Sequence, residues 1–235
     1  MFGFYYFDYT YFIYMLPALI ISMIAQARVN SAFHKYSKIS NSGRITGAEA
    51  ASRVLSLNGV PMLEIRPIPG KLSDNFDPRT NVINLSGDVY GSATIAAVGV
   101  AAHEAGHAVQ HAKGYWPITL RSALVPITRI GSNLAVPIIL IGLILPIQYD
   151  FVVTIGIALY SLAVVFSLVT LPVEFNASAR ALRALDESGI LTQEELKGAG
   201  AVLRAAAMTY VASTFAALLS LLRLLAIVGS RRGNR

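Results

Sequence analysis

Hydrophobic residues in this chain collect into long runs that are separated by polar stretches. Residues 151–173 form the clearest run and contain no charged residue. Residues 11–27 are also uncharged, and the aromatic-rich residues 2–9 precede them, as is typical of an interfacial belt. Because a helix needs about 20 mostly apolar residues to cross a bilayer, both runs predict transmembrane helices.

Two further runs extend the prediction to three or four spans. Residues 134–147 are apolar but short, so their helix is expected to extend back towards Ser122, with Arg129 either snorkelling or buried. The turn at residues 146–150 then joins this helix to the next one in a hairpin. Residues 205–228 are interrupted by Arg223 and either span the membrane or lie partly against the bundle.

Basic residues at the ends of these runs predict the orientation. None precedes Tyr11, whereas five lie between residues 28 and 53, and Arg180 and Arg183 follow the third run. The segments after the first and third spans are therefore predicted to lie in the cytoplasm. The tail conflicts with this rule if the fourth run crosses the membrane, because it carries Arg231, Arg232 and Arg235.

The roughly ninety residues between the first run and the hairpin carry signals of a folded segment. Cap residues, β-forming stretches and turn residues alternate there. The predicted elements are a helix that begins at the capping box Thr46–Glu49 and ends near Gly59, strands over residues 60–68 and 81–85 with turn signals at residues 74–78 between them, and a long helix from Ser92 to about Lys113.

Composition limits the chemistry that this segment can carry. The 235 residues include no cysteine, which excludes disulfides, cysteine-ligated zinc and a thiol nucleophile. The net charge is +6, but no basic run with interleaved aromatics occurs ahead of the tail. The positive charge therefore favours attraction to an anionic bilayer over nucleic-acid binding. A lipid bilayer is therefore an expected partner, and no nucleic acid is expected.

The long helix contains the motif His103-Glu104-Ala105-Gly106-His107. Histidines at i and i+4 lie on one helical face, where both can bind one zinc ion. The glutamate between them is placed to take a proton from a zinc-bound water, whose pKa the metal lowers towards about 7. The alternative is a pair of hydrogen-bonded packing histidines.

A catalytic zinc site needs a third protein ligand. His111 continues the i+4 series but lies a full turn beyond the metal in an unbroken helix, so a role at the rim of the site is favoured. Glu174 follows Pro172 at the end of the third run, where a carboxylate is costly unless it is paired or binds metal. An ion pair with Arg180 or Arg183 is the alternative for this glutamate.

Three motifs in order resemble the YugP-type neutral zinc metallopeptidases of bacterial membranes. They are residues 72–79, residues 95–102 leading into the HExxH motif, and residues 172–178. The resemblance covers nearly the whole chain. That family is similar in plan to the CAAX-prenyl and heat-shock membrane proteases, which are gluzincins. The resemblance implies one Zn²⁺ held by His103, His107 and Glu174, with Glu104 as the catalytic base.

The resemblance also implies residues around the metal. Ala177 and Ser178 occupy the small and polar positions after Glu174, and Ser178 stands where those relatives often have an aspartate that orients a ligand histidine. A serine brings no charge to that contact. Asn176, in the same segment, is a candidate for the rim of the site. An exposed strand edge is expected to bind extended substrate through main-chain hydrogen bonds, and the strand chosen for this role comprises Asn81, Val82, Ile83, Asn84 and Leu85.

Together these observations predict a mainly α membrane protein with three to four transmembrane helices and a small α+β zincin-like catalytic segment. The expected activity is zinc-dependent endopeptidase cleavage of peptides or membrane proteins, at the cytoplasmic face of a bacterial inner membrane. An intramembrane site-2-type protease and a non-catalytic metal-binding scaffold stay as alternatives. The predicted segments are an anchor (1–29), the zincin-like segment (30–118), a transmembrane hairpin (119–173), the glutamate-ligand helix with a polar connector (174–204), and a fourth apolar helix with a basic tail (205–235).

Overall fold

The computed structural model describes residues 9–233 of a mainly α-helical chain. The aromatic residues 2–8 and Arg235, which were used above to predict membrane interfaces and orientation, lie outside that range. The elements in chain order are α1 Tyr9–Tyr36, α2 Gly47–Leu57, β1 Glu64–Ile68, β2 Asn75–Asp77, β3 Val82–Ser86, α3 Gly87–Tyr90, α4 Ile95–Ala112, α5 Trp116–Ile144, a 3₁₀ turn Ile147–Tyr149, α6 Phe151–Ser188 and α7 Gln193–Gly233.

Four helices of the described chain, α1, α5, α6 and α7, are long and apolar enough to cross a membrane. This confirms the predicted class of a mainly α membrane protein with a small sheet. Helix α5 begins earlier than expected, at Trp116, and includes Pro126 and Pro137. Helix α6 continues unbroken through Pro172 to Ser188, so the boundary predicted between residues 173 and 174 falls inside a helix.

The chain divides into two compact units. One contains the apolar segments, namely the described residues of Met1–Ile24 and Tyr210–Arg235 together with Arg121–Val169. The other, called the sheet-containing unit below, consists of Ala25–Leu120 and Thr170–Thr209. It contains the sheet, α4 and the second half of α6.

The capping box predicted at the start of α2 is confirmed in the sheet-containing unit. Thr46 Oγ1 accepts a hydrogen bond from the Glu49 N–H, and the Glu49 side chain accepts one from the Thr46 N–H. The helix ends at Leu57, and Gly59 takes a positive φ of 63° just beyond it. Helix α2 packs against α4, whose side chains from Ile95 to Ala102 are nearly all buried.

The three strands form one mixed sheet in the order β1-β3-β2. Strand β3 pairs in parallel with β1 and antiparallel with β2, and all five of its residues are buried. The prediction that Asn81–Leu85 offers an exposed edge is therefore wrong, because both edges of that strand are already paired. Strand β2 was missed, since its residues were interpreted as turn signals, and it forms one edge of the sheet instead.

Candidate metal centre

Helix α4 places His103 and His107 side by side. Thr94 caps the start of this helix by accepting a hydrogen bond from the Ala97 N–H. The helix then runs without a break through the motif, so the two imidazoles lie one turn apart on one face. Their ring centroids are 4.7 Å apart and their planes are almost perpendicular, at 81°. Both side chains are largely shielded from solvent.

Glu174 on α6 is the third member of this cluster. Its side chain is only 1% exposed, and its Oε2 lies 3.2 Å from His103 Nε2 and 3.5 Å from His107 Nε2. A buried carboxylate in contact with two imidazoles is a metal-ligand arrangement more than a surface ion pair. The alternative partner Arg180 instead donates its Nε–H to the Asn176 side chain.

A glycine in the motif lets α4 and α6 approach closely enough for these contacts. A Cβ atom built on Gly106 would lie 2.6 Å from the carbonyl oxygen of Ala177 and 3.2 Å from its carbonyl carbon. Ala177 is fully buried at the same crossing. Small residues on both helices therefore set the distance between the two histidines and Glu174.

The donor set fits a zinc ion. One atom from each of His103, His107 and Glu174 lies within 4.8 Å of the others. Zinc bonds of about 2.1 Å in a tetrahedron place neighbouring ligand atoms about 3.4 Å apart, and the observed separations of 3.2 and 3.5 Å lie on either side of that value. Nitrogen and carboxylate oxygen are ordinary zinc ligands. Three protein ligands leave a fourth position for water or substrate, as catalytic zinc sites do.

Glu104 lies beside the cluster and is held by the edge strand. Its Oε2 accepts a hydrogen bond of 3.0 Å from the main-chain N–H of Phe76 in β2. Burial raises the pKa of Glu104 to about 7, against the opposing influence of His103. The carboxylates of Glu174 and Asp74 add to this rise. A carboxylate with a pKa near neutrality is well suited to take up and release a proton at physiological pH.

Comparison with known proteins is consistent with this centre. A family model described as "Putative neutral zinc metallopeptidase" matches residues 11–229, which is most of the chain. The chain belongs to this family. It is also 42% identical over 212 residues to the "Putative membrane protease YugP" of Bacillus subtilis (strain 168), across 90% of this chain and 93% of that protein. No solved structure matches the chain. Family membership and the four apolar helices assign the chain to the membrane zinc metallopeptidases as a class.

In this family member, Ser178 and Gln110 contact the Nδ1 atoms of the two histidines, whereas the Nε2 atoms face Glu174. Ser178 Oγ lies 3.1 Å from His103 Nδ1, so the structure brings the predicted serine to a ligand histidine. Gln110 Oε1 lies 3.0 Å from His107 Nδ1. Sequence reasoning missed Gln110, although its position three residues after His107, on a helix with few polar side chains, was a usable signal.

The remaining predicted residues lie around the centre without joining the ligand cluster. Asn176 Oδ1 accepts hydrogen bonds from Gln110 Nε2 and Arg180 Nε. The exposed ring of His111 lies 5.8 Å from the ring of Phe76, whose N–H holds Glu104. His111 is therefore close to the base by way of Phe76, and it is not one of the three residues whose ligand atoms converge.

Proposed function

We propose that this protein is a membrane-bound zinc endopeptidase of the gluzincin type. Its ligands would be His103, His107 and Glu174, and its base Glu104. The observation that carries this proposal is the convergence of one atom from each ligand, with Glu174 Oε2 3.2 and 3.5 Å from the two histidine nitrogens, beside a carboxylate with a raised pKa. Membership of a zinc metallopeptidase family supports the same chemistry.

The chain's own residues supply proton transfer and orientation. When bound, zinc supplies Lewis acidity, which polarises a carbonyl and lowers the pKa of water to about 7. Glu104 takes a proton from the attacking water as the new C–O bond forms. As the C–N bond breaks, Glu104 returns that proton to the leaving amine. The Phe76 N–H orients the Glu104 carboxylate before substrate arrives.

The substrate strand is reassigned to the outer edge of β2. Within residues 9–233, β2 pairs only with β3. The Phe76 N–H points to Glu104 and hence away from β3, and in an extended strand the carbonyl of the same residue points to the same side. The Phe76 N–H is engaged by Glu104, so an extended peptide added at this edge would donate a main-chain N–H to the Phe76 carbonyl, next to the base.

The surface endopeptidase is favoured over an intramembrane protease because α4 is not among the four apolar helices that are candidate spans. The basic residues after the first and third runs support a site that faces the cytoplasm of a bacterial cell. A scaffold with structural zinc is less favoured, because structural sites have four protein ligands and the described residues bring three together.

Two substitutions test the proposal on the purified full chain in detergent. Glu104→Gln should bind one zinc per chain and cleave no casein, because the amide keeps the shape of the carboxylate but accepts no proton. Glu174→Ala should bind zinc far more weakly, since it removes the third ligand. Full zinc occupancy in Glu174→Ala would contradict the ligand assignment.

The scaffold alternative predicts different results. Zinc-loaded wild type would cleave nothing in a broad peptide and membrane-protein panel, and Glu104→Gln would behave as wild type in cells. A suitable control is Glu194→Gln, because Glu194 lies on the exposed first turn of α7 and pairs there with Lys197.

A further inference from the structure

Gln110 is a fully buried polar side chain on α4, three residues after His107. A buried amide must satisfy both its donor and its acceptor groups. Gln110 does so with three hydrogen bonds: its Oε1 lies 3.0 Å from His107 Nδ1, and its Nε2 donates to the Val173 carbonyl oxygen at 2.8 Å and to Asn176 Oδ1 at 3.0 Å.

These partners determine which way round the amide lies. The Val173 main-chain carbonyl can only accept a hydrogen bond, so the group that faces it must be the Nε2 amide of Gln110. The arrangement at Asn176 agrees, because the Nε–H of Arg180 can only donate and contacts the same Asn176 Oδ1 at 2.7 Å. The Gln110 oxygen therefore faces His107.

The amide orientation in turn determines the proton position on His107. Since Gln110 Oε1 can only accept, His107 Nδ1 must carry the hydrogen. In the neutral imidazole, Nε2 is then left with its lone pair, and this is the atom that lies 3.5 Å from Glu174 Oε2. A metal bound between them would meet a nitrogen that is ready to coordinate.

We propose that Gln110 is a positioning residue of the metal centre, which holds His107 as the Nδ1–H tautomer and so presents Nε2 as a ligand. This inference rests on the proposed role of His107 as a ligand. Asn176 and Arg180 keep Gln110 in place. His103 has no equivalent constraint, because the Ser178 hydroxyl at its Nδ1 can either donate or accept.

Gln110 also connects the two ligand-bearing helices. Its contact with the Val173 carbonyl joins α4 to α6 at the residue directly before Glu174. Losing partners that orient a ligand histidine typically reduces metal affinity by about 10- to 100-fold. We expect a loss of that size for Gln110→Met, which removes the acceptor and keeps a side chain of similar length.

The test is ¹⁵N-histidine NMR of the metal-free protein at pH 8, combined with zinc affinity by chelator competition. The chain has four histidines, and a His107→Gln sample assigns the signal. Wild-type His107 should carry its proton on Nδ1, even though Glu174 Oε2 offers its Nε2 a second acceptor in the metal-free protein. Gln110→Met should lose this preference and bind zinc about 10- to 100-fold more weakly. Gln110→Glu keeps an oxygen facing His107 but loses the donor to the Val173 carbonyl, so it should retain the tautomer and bind zinc more weakly than wild type and more tightly than Gln110→Met.

The control is Gln193→Met, the same change at an exposed glutamine that bonds only to Asp186 in the described chain. It should leave both measurements unchanged. An Nε2–H tautomer in wild type, or the same tautomer and zinc affinity in Gln110→Met as in wild type, would overturn the inference. The NMR experiment needs neither zinc nor hydrolysis, so a wild type that binds no zinc refutes the proposed function separately.

Discussion

Gly106→Ala separates local helix propensity from the assembly of the metal centre. In a helix interior, replacing glycine by alanine normally stabilises by about 1 kcal/mol. At Gly106 the new Cβ would lie 2.6 Å from the Ala177 carbonyl oxygen, which belongs to the backbone of α6 and cannot turn aside. We therefore expect the substitution to destabilise the sheet-containing unit instead, by the roughly 1–3 kcal/mol typical of overpacking.

The effect on zinc should be larger than the effect on folding. The distance between the new Cβ and the Ala177 carbonyl oxygen must lengthen from 2.6 Å to an ordinary contact of about 3.4 Å. Helices α4 and α6 must therefore separate by about 0.8 Å. Metal sites tolerate changes in ligand distance of only about 0.2 Å. Glu174 precedes Ala177 by less than one turn of α6, so the separation moves it away from both histidines. Zinc affinity should fall at least about tenfold.

Gly99→Ala is the matched control, because it makes the same change on the same helix. Its Cβ would meet the Cβ of Ala199 at 3.4 Å, an ordinary contact. Zinc affinity by chelator competition and thermal unfolding should match or exceed wild type in Gly99→Ala, while both fall in Gly106→Ala. Wild-type zinc affinity in Gly106→Ala would refute the account of helix spacing.

Three further predictions concern caps, electrostatics and zinc. Thr46→Ala should lower stability by about 1 kcal/mol. The hydrogen bonds from Thr46 depress the pKa of Glu49. The stability that they contribute is therefore complete above the ordinary pKa of 4.5 and is lost as the pH falls through the lower folded pKa. Thermal unfolding at several pH values measures the loss of stability in Thr46→Ala and its dependence on pH. Asp74→Asn removes a negative charge that raises the pKa of Glu104, so the acid limb of the pH–kcat/KM profile should move to lower pH; movement to higher pH would contradict this. Zinc at a hundred times its Kd should stabilise wild type by about 2.7 kcal/mol and Glu174→Ala by much less, as measured by thermal shift.

Local chemistry explains how much of the fold was predictable. The capping box at Thr46, the strand at residues 81–85 and the helix around His103 each depend on neighbouring residues, and the structure has all three. The four apolar helices could also be predicted from local sequence, because crossing a bilayer needs only sufficient length and hydrophobicity. The convergence of Glu174 with the histidines was anticipated from the cost of burying a carboxylate at that place in the chain, together with the family resemblance.

The features that were missed depend on tertiary contacts. Asn75–Asp77 is a strand of three residues, and its turn-forming residues outweigh any β pattern until β3 is present to pair with it. For the same reason the edge of the sheet could not be chosen from sequence, since β3 becomes central only when β2 adds to it. The sequence marks Gln110 only as a polar residue three positions after His107, and its role follows from the positions of Val173 and Asn176 on another helix.

Residues 174–178, about one and a half turns of α6, supply the contacts that this helix makes with the HExxH motif. Glu174 meets the histidines, Ala177 meets Gly106 and Ser178 meets His103, while Asn176 supports Gln110. Phe175 lies among them but is 48% exposed, and the contacts above leave it no part in the centre. Phe175→Leu should therefore leave zinc affinity unchanged, in contrast to a loss for Ser178→Ala. A comparable loss in both variants would mean that α6 acts through its general packing and that these contacts do not act individually.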